Sequence, residues 1–93
     1  MSQRHHVGPL ADFSETEGRR VVLGDLEIAV FRRGGSVVAI GDSCPHMGAS
    51  LSEGFIDGDC VVCPWHGWTF RLKDGESPFE AGAAVPVYRA FVE

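Results

Sequence analysis

Residues 44–70 read CPHMGASLSEGFIDGDCVVCPWHGWTF. The stretch begins with a cysteine–histidine pair, Cys44-Pro45-His46, and after 16 intervening residues it carries a second, Cys63-Pro64-Trp65-His66. A third cysteine, Cys60, lies just ahead of the second pair. Each pair heads a loop that follows an apolar run, and this regularity calls for a chemical explanation.

Three chemistries use such residues. A structural zinc ion takes two cysteines and two histidines tetrahedrally. A zinc finger, however, draws both cysteines from one loop and both histidines from one helix, whereas here each loop supplies one of each. A thiolate nucleophile activated by an imidazole needs one pair and leaves the other unexplained. A 2Fe-2S cluster with mixed ligation has two thiolates on one iron and two imidazoles on the other, and two parallel loops suit it.

Outward from this stretch, turn signals dominate. VVLGDLEIAVF (residues 21–31) sets Gly24-Asp25 between two apolar runs, and Gly34-Gly35 separates LEIAVF from SVVAI. Asp57-Gly58 lies within FIDGDCVV, and Asp74-Gly75 follows an alternating strand marked by Trp68, Phe70 and Leu72. Such dipeptides between β-branched runs predict hairpins. VPVYRAFV (residues 85–92) predicts a last strand, and only residues 8–20 leave room for a helical turn. Short strands with frequent turns predict an all-β sandwich or barrel.

The chain has 93 residues, enough for one domain (1–93), with 44% hydrophobic and 23% charged residues. Its net charge of −5 argues against nucleic acid as a partner, because phosphate binding needs clustered Lys and Arg. No apolar run approaches the roughly 18–20 residues that cross a bilayer. The polar start MSQRHHVGPL has no signal-peptide core, so a soluble, cytoplasmic protein is expected. Three cysteines, an odd and low count, point to metal ligation before a disulfide framework. His5 and His6 are expected in a mobile terminus.

The motif Cys44-x-His46-x16-Cys63-x2-His66, with its flanking residues, resembles the Rieske ferredoxins of bacterial oxygenase systems and the small subunit of NAD(P)H-dependent nitrite reductase. The resemblance implies the Rieske fold, stacked antiparallel sheets with a two-loop cluster-binding subdomain at about residues 42–72. It implies one 2Fe-2S cluster, with Cys44 and Cys63 on the inner iron and His46 and His66 on the outer. It further implies a soluble electron carrier, with no catalysis of its own. Such a carrier would take electrons from an NAD(P)H-dependent flavin reductase and deliver them to a terminal oxygenase or to the nitrite reductase large subunit. An oxygenase would also need a mononuclear iron held by two histidines and a carboxylate, which requires a second domain.

High-potential members of the family carry a disulfide between the loops and two hydroxyls bonded to sulfur. The corresponding positions here hold Ala49 and Trp65, and Trp68 and Phe70. The resemblance therefore implies a potential near the low end of the Rieske range, roughly −150 mV. It also gives Gly48 and Gly67 the role of letting backbone amides approach the sulfurs, and residues 75–86 that of covering the cluster. Asp42, Glu53, Asp57 and Asp59 are expected as negative charge near the cluster end, either solvated or docking a basic partner. Trp65 and Trp68 are expected to shield the cluster or to join the docking surface, with core packing an equal possibility for Trp68. Cys60 and Cys63 have the spacing of a redox or zinc pair. On a strand, though, Cys60 faces away from Cys63, which predicts a small buried apolar residue.

Overall fold

The described residues form eight strands: β1 (Arg4–His6), β2 (Arg19–Leu23), β3 (Leu26–Arg33), β4 (Ser36–Gly41), β5 (Phe55–Asp57), β6 (Cys60–Val62), β7 (Thr69–Arg71) and β8 (Val87–Phe91). The structure is a computed structural model and describes residues 4–45, 48–65, 67–79 and 82–92. A five-stranded sheet has the order β1-β8-β4-β3-β2, and a three-stranded sheet the order β5-β6-β7. Among the described residues the only helical pieces are single 3-10 turns at Leu10–Asp12 and Leu51–Glu53. The all-β expectation holds, and the first of these turns falls within the segment where one was expected.

Glycine sets the reversals. Gly24 and Gly34 have φ of +65° and +67°, a left-handed backbone that residues with a side chain rarely adopt. Each occupies the first position of a two-residue turn, pairing Leu23 with Leu26 and Arg33 with Ser36. The third hairpin follows the same rule and corrects its expected register. Asp57 pairs with Cys60, so the turn is Gly58-Asp59, with Gly58 at φ +62°.

The expected strand through Leu72 is shorter than the alternation suggests. β7 ends at Arg71, and the Leu72 amide donates to the Asp59 carbonyl at 2.9 Å. Among the described residues no strand pairing closes around Asp74-Gly75; Glu76 and Ala84 form an isolated bridge. The Asp74 carboxylate turns the chain by accepting from the Arg71 guanidinium and from the Glu76 amide. β8 pairs antiparallel with β4 and parallel with β1, where His5 lies opposite Ala90 and His6 opposite Phe91. The two histidines therefore belong to a strand, contrary to the mobile terminus expected. Their partner is at the other end of the chain, a pairing no local signal announces.

The five-stranded sheet is covered on both faces, which is why β3 reads as an unbroken apolar run. Ile28 and Val30 join Phe13, Val37 and Ala39 on one face, where Val7 and Leu10 of the N-terminal segment close over them. Ala29, Phe31 and Ile40 face the small sheet and share a core with Cys44, Leu51, Val61, Cys63, Phe70, Leu72 and Val85. Phe31 is the large ring at its centre, 1% exposed. Phe31→Ala should therefore destabilise the protein by about 3–5 kcal/mol in urea unfolding, while Val22→Ala on the exposed edge should change it by less than about 0.5 kcal/mol. Equal effects would contradict a core shared by the two sheets.

Candidate metal centre

Two loops follow strand ends that meet in that core. The first leaves β4 and carries Cys44; the second joins β6 to β7 and carries Cys63. They close in the same way. The Cys44 amide donates to the Ala49 carbonyl at 2.9 Å, and the Cys63 amide to the Trp68 carbonyl at 2.6 Å. Gly48 and Gly67 occupy matching positions with φ of +75° and +70°. The sequences agree, Cys-Pro-His-Met-Gly-Ala and Cys-Pro-Trp-His-Gly-Trp, a repeat of Cys-Pro-x-x-Gly-x. Sequence reasoning singled out the two cysteine–histidine pairs and missed this repeat, although the signal lay in the glycine four residues after each cysteine. It also gave the glycines another role. The Gly48 amide donates to the Cys44 carbonyl at 2.7 Å, and what both positions demand is the left-handed backbone.

Cys44 and Cys63 are each 1% exposed, and all three cysteines are free thiols. Cys63 and Cys44 share one buried core and lie near enough to act on each other's ionisation, and the Trp65 amide acts on the Cys63 sulfur. Burial, the strongest influence, pushes the Cys63 thiol up; the Trp65 amide pulls it down and Cys44 pushes it up again. Two thiolates side by side in an apolar core would repel each other and lack solvation. A metal supplies the positive charge that deprotonates both and holds them together. The donor set therefore fits a metal-centred group. His46 and His66 lie outside the described residues. Among the described residues no group of three or more His, Cys, Asp or Glu side chains is placed to hold a metal ion.

The two tryptophans fall within the alternatives expected for them, while most of the acids do not. Trp65 is 55% exposed on the second loop, whereas Trp68 packs against the cysteine core beside Phe70. Ala83 and Val85, from the segment after β7, also pack on that core. Of the four acids expected as a surface cluster, Asp42 is 3% exposed and hydrogen-bonded within the fold. Asp57 and Asp59 lie at the wrong end. Phe55 pairs with Val62 beside the second loop, and Asp57 with Cys60 two residues, about 7 Å, further along the strand. The Gly58-Asp59 turn meets Arg33 beside the β3–β4 turn, with a 2.9 Å bond from Arg33 to the Gly58 carbonyl. Only Glu53 remains as an exposed acid next to the first loop.

Strand alternation holds at Cys60. Val61 and Cys63 are buried, while Cys60 and Val62 face the other way. Cys60 is half-buried, less enclosed than expected, because the outer face of the small sheet is open. Burial is the main cause that pushes its thiol up, aided by Asp59, Asp57 and Asp74 and opposed by Arg71. A raised thiol pKa leaves less thiolate near neutral pH. Cys60 should therefore react with iodoacetamide at pH 8 more slowly than free glutathione, and its rate should still be climbing above pH 9, as followed by peptide mass spectrometry. A rate matching glutathione across that range would contradict the assignment.

The model of the Rieske 2Fe-2S domain matches residues 3–89. The ferredoxin subunit of anthranilate 1,2-dioxygenase from Burkholderia cepacia is 37% identical over 75 residues, covering 81% of this chain and 69% of that one. In a solved complex of reduced oxygenase and oxidized ferredoxin in carbazole 1,9a-dioxygenase, a chain of 36% identity superposes with a TM-score of 0.74, covering 85% of this chain and 83% of its own. A structure named for the NADH-dependent nitrite reductase small subunit of Mycobacterium tuberculosis superposes with a TM-score of 0.79 at 30% identity, covering 85% of this chain and 76% of that one. These matches set aside the zinc and nucleophile readings of the same cysteines, and the chain belongs to the Rieske 2Fe-2S domain family.

Proposed function

We propose that this protein is a low-potential Rieske ferredoxin that carries electrons from an NAD(P)H-dependent flavin reductase to a terminal oxygenase. One observation carries the reading: two buried cysteines, on loops from different hairpins, are brought side by side in the core. Cys44, His46, Cys63 and His66 would hold the cluster, with residues 42–72 as the holding unit of a single domain. When bound, the cluster supplies one-electron transfer. The chain's own residues exclude water from the cysteine side through Leu51, Val61, Phe70 and Val85, and direct the Trp65 amide at the Cys63 sulfur. Trp68 and Phe70 offer no hydroxyl to the sulfurs, and fewer hydrogen bonds to sulfur leave the potential low. Free thiols throughout fit a reducing cytoplasm.

The fold similarity to a nitrite reductase small subunit supports a second reading, a Rieske subunit of such an enzyme. Pairing the purified protein with a flavin reductase and either acceptor distinguishes the two. NADH-dependent reduction of an oxygenase through this chain supports the first reading, and activity only with a nitrite reductase large subunit supports the second.

The cluster assignment has its own test. The reduced protein should show a mixed-ligand 2Fe-2S electron paramagnetic resonance signal and a midpoint potential near −150 mV, at the low end of the family range. Cys44→Ser and Cys63→Ser should abolish the signal, whereas Cys60→Ala should keep it. A colourless zinc protein would end this reading, and a potential well above zero would end its low-potential part.

A further inference from the structure

We infer that Asp42 is a positioning residue, a buried clasp that closes the first cysteine loop in place of a strand ladder. The inference rests on Cys44 being a cluster ligand. The two loops share one template but leave it differently. The second is flanked by paired strands, with Val62 opposite Thr69 immediately outside it. The outgoing leg of the first runs into the 3-10 turn Leu51–Glu53, which belongs to neither sheet. Among the described residues, no ladder beyond the single bridge between Ser43 and Ser50 holds that leg to the incoming one.

Asp42 supplies the missing bonds. Its carboxylate accepts from the Ser50 hydroxyl at 2.8 Å and from the Ser52 amide at 2.9 Å. Its carbonyl accepts from the Leu51 amide at 2.6 Å, which is one of the two backbone bonds of the Ser43–Ser50 bridge, so the carboxylate bonds are what the residue adds; its own amide donates to the Glu27 carbonyl of β3 at 3.2 Å. One residue thus binds three consecutive residues beyond the loop and anchors them to the large sheet. Arg20 lies 3.6 Å from the carboxylate and also bonds Glu27, which offsets the cost of burying the charge. The comparison within the molecule is direct. Two residues before Cys44 stands Asp42, and two before Cys63 stands Val61, fully buried in the core. The loop with a ladder uses an apolar residue there, and the loop without one uses a carboxylate.

The test is hydrogen exchange by mass spectrometry on the protein as purified with its cluster, together with the rate at which a ferrous chelator bleaches its visible absorbance. Asp42→Ala leaves donors without acceptors and should speed exchange of residues 48–54 on the order of tenfold, with bleaching accelerated similarly. Residues 60–72 should exchange as in the parent. Asp42→Asn keeps an acceptor for the Ser52 amide and a partner for the Ser50 hydroxyl, and should restore both rates to within about threefold of the parent. Unchanged exchange at 48–54 in Asp42→Ala, or equal acceleration at 48–54 and 60–72, would overturn the inference. If Asp42→Ala does not accumulate, Ser50→Ala removes one bond and should speed exchange a few-fold at 48–54 alone; no change there would overturn it too. If the protein carries no cluster but exchange follows this pattern, the clasp stands and the ligand reading of Cys44 falls.

Discussion

The structure depends on burying two thiols in one core that both sheets build. Cys44 arrives from the large sheet and Cys63 from the small one, and their side chains meet among Leu51, Val61, Phe70, Leu72 and Val85. Neither loop can swing away without opening the interface between the sheets. Close-packed interiors resist such opening, because separated surfaces lose their contacts before water can replace them. The hydrophobic core therefore does for the site what a disulfide between the loops would do by covalent means. The short strands of the small sheet follow from the same arrangement: three residues each suffice to carry one loop to the core and return.

The two loops show how one local solution is fitted to different surroundings. Both repeat Cys-Pro-x-x-Gly-x, both return the cysteine amide to a carbonyl five residues on, and both turn at a left-handed glycine. The proline fixes one backbone angle and needs no hydrogen-bond acceptor, so the tight turn leaves fewer polar groups to satisfy. Outside this template the supports diverge, with a β ladder for the second loop and side-chain bonds to Asp42 for the first. A buried carboxylate is costly unless its oxygens find donors, and Asp42 meets that condition with a hydroxyl, a backbone amide and a nearby guanidinium.

Much of this was legible in the sequence where the cause is local. Glycine dipeptides located three hairpins because a left-handed residue at a reversal is a strong steric demand, and the cysteine–histidine spacing located both loops. The Asp57-Gly58 dipeptide marks the reversal but not which turn position the glycine takes, so the turn lies one residue later, at Gly58-Asp59. Non-local features stayed hidden. β1 pairs parallel with the last strand, so nothing near His5 and His6 announces it. Asp42 looks like any surface acid until Ser50 and Ser52 are seen to face it. Asp57 and Asp59 are near Cys63 in sequence, yet a strand carries the chain away from its turn. Counting residues along β6 would have placed them at the far end.

The same geometry explains how a buried site can serve exchange with a partner. The thiols are enclosed, but each loop reaches the surface quickly: Pro45 directly after Cys44 is exposed, and so is Trp65, two residues after Cys63. Electron tunnelling weakens steeply with distance, so a carrier needs its centre near the surface on one side only. On the other sides an apolar wall keeps out water, whose reorganisation would slow transfer. Among the described residues of the two loops, Pro45 and Trp65 carry the chain outward past the cysteines, while the Asp42 carboxylate is buried and Asp57 and Asp59 lie away along the small sheet.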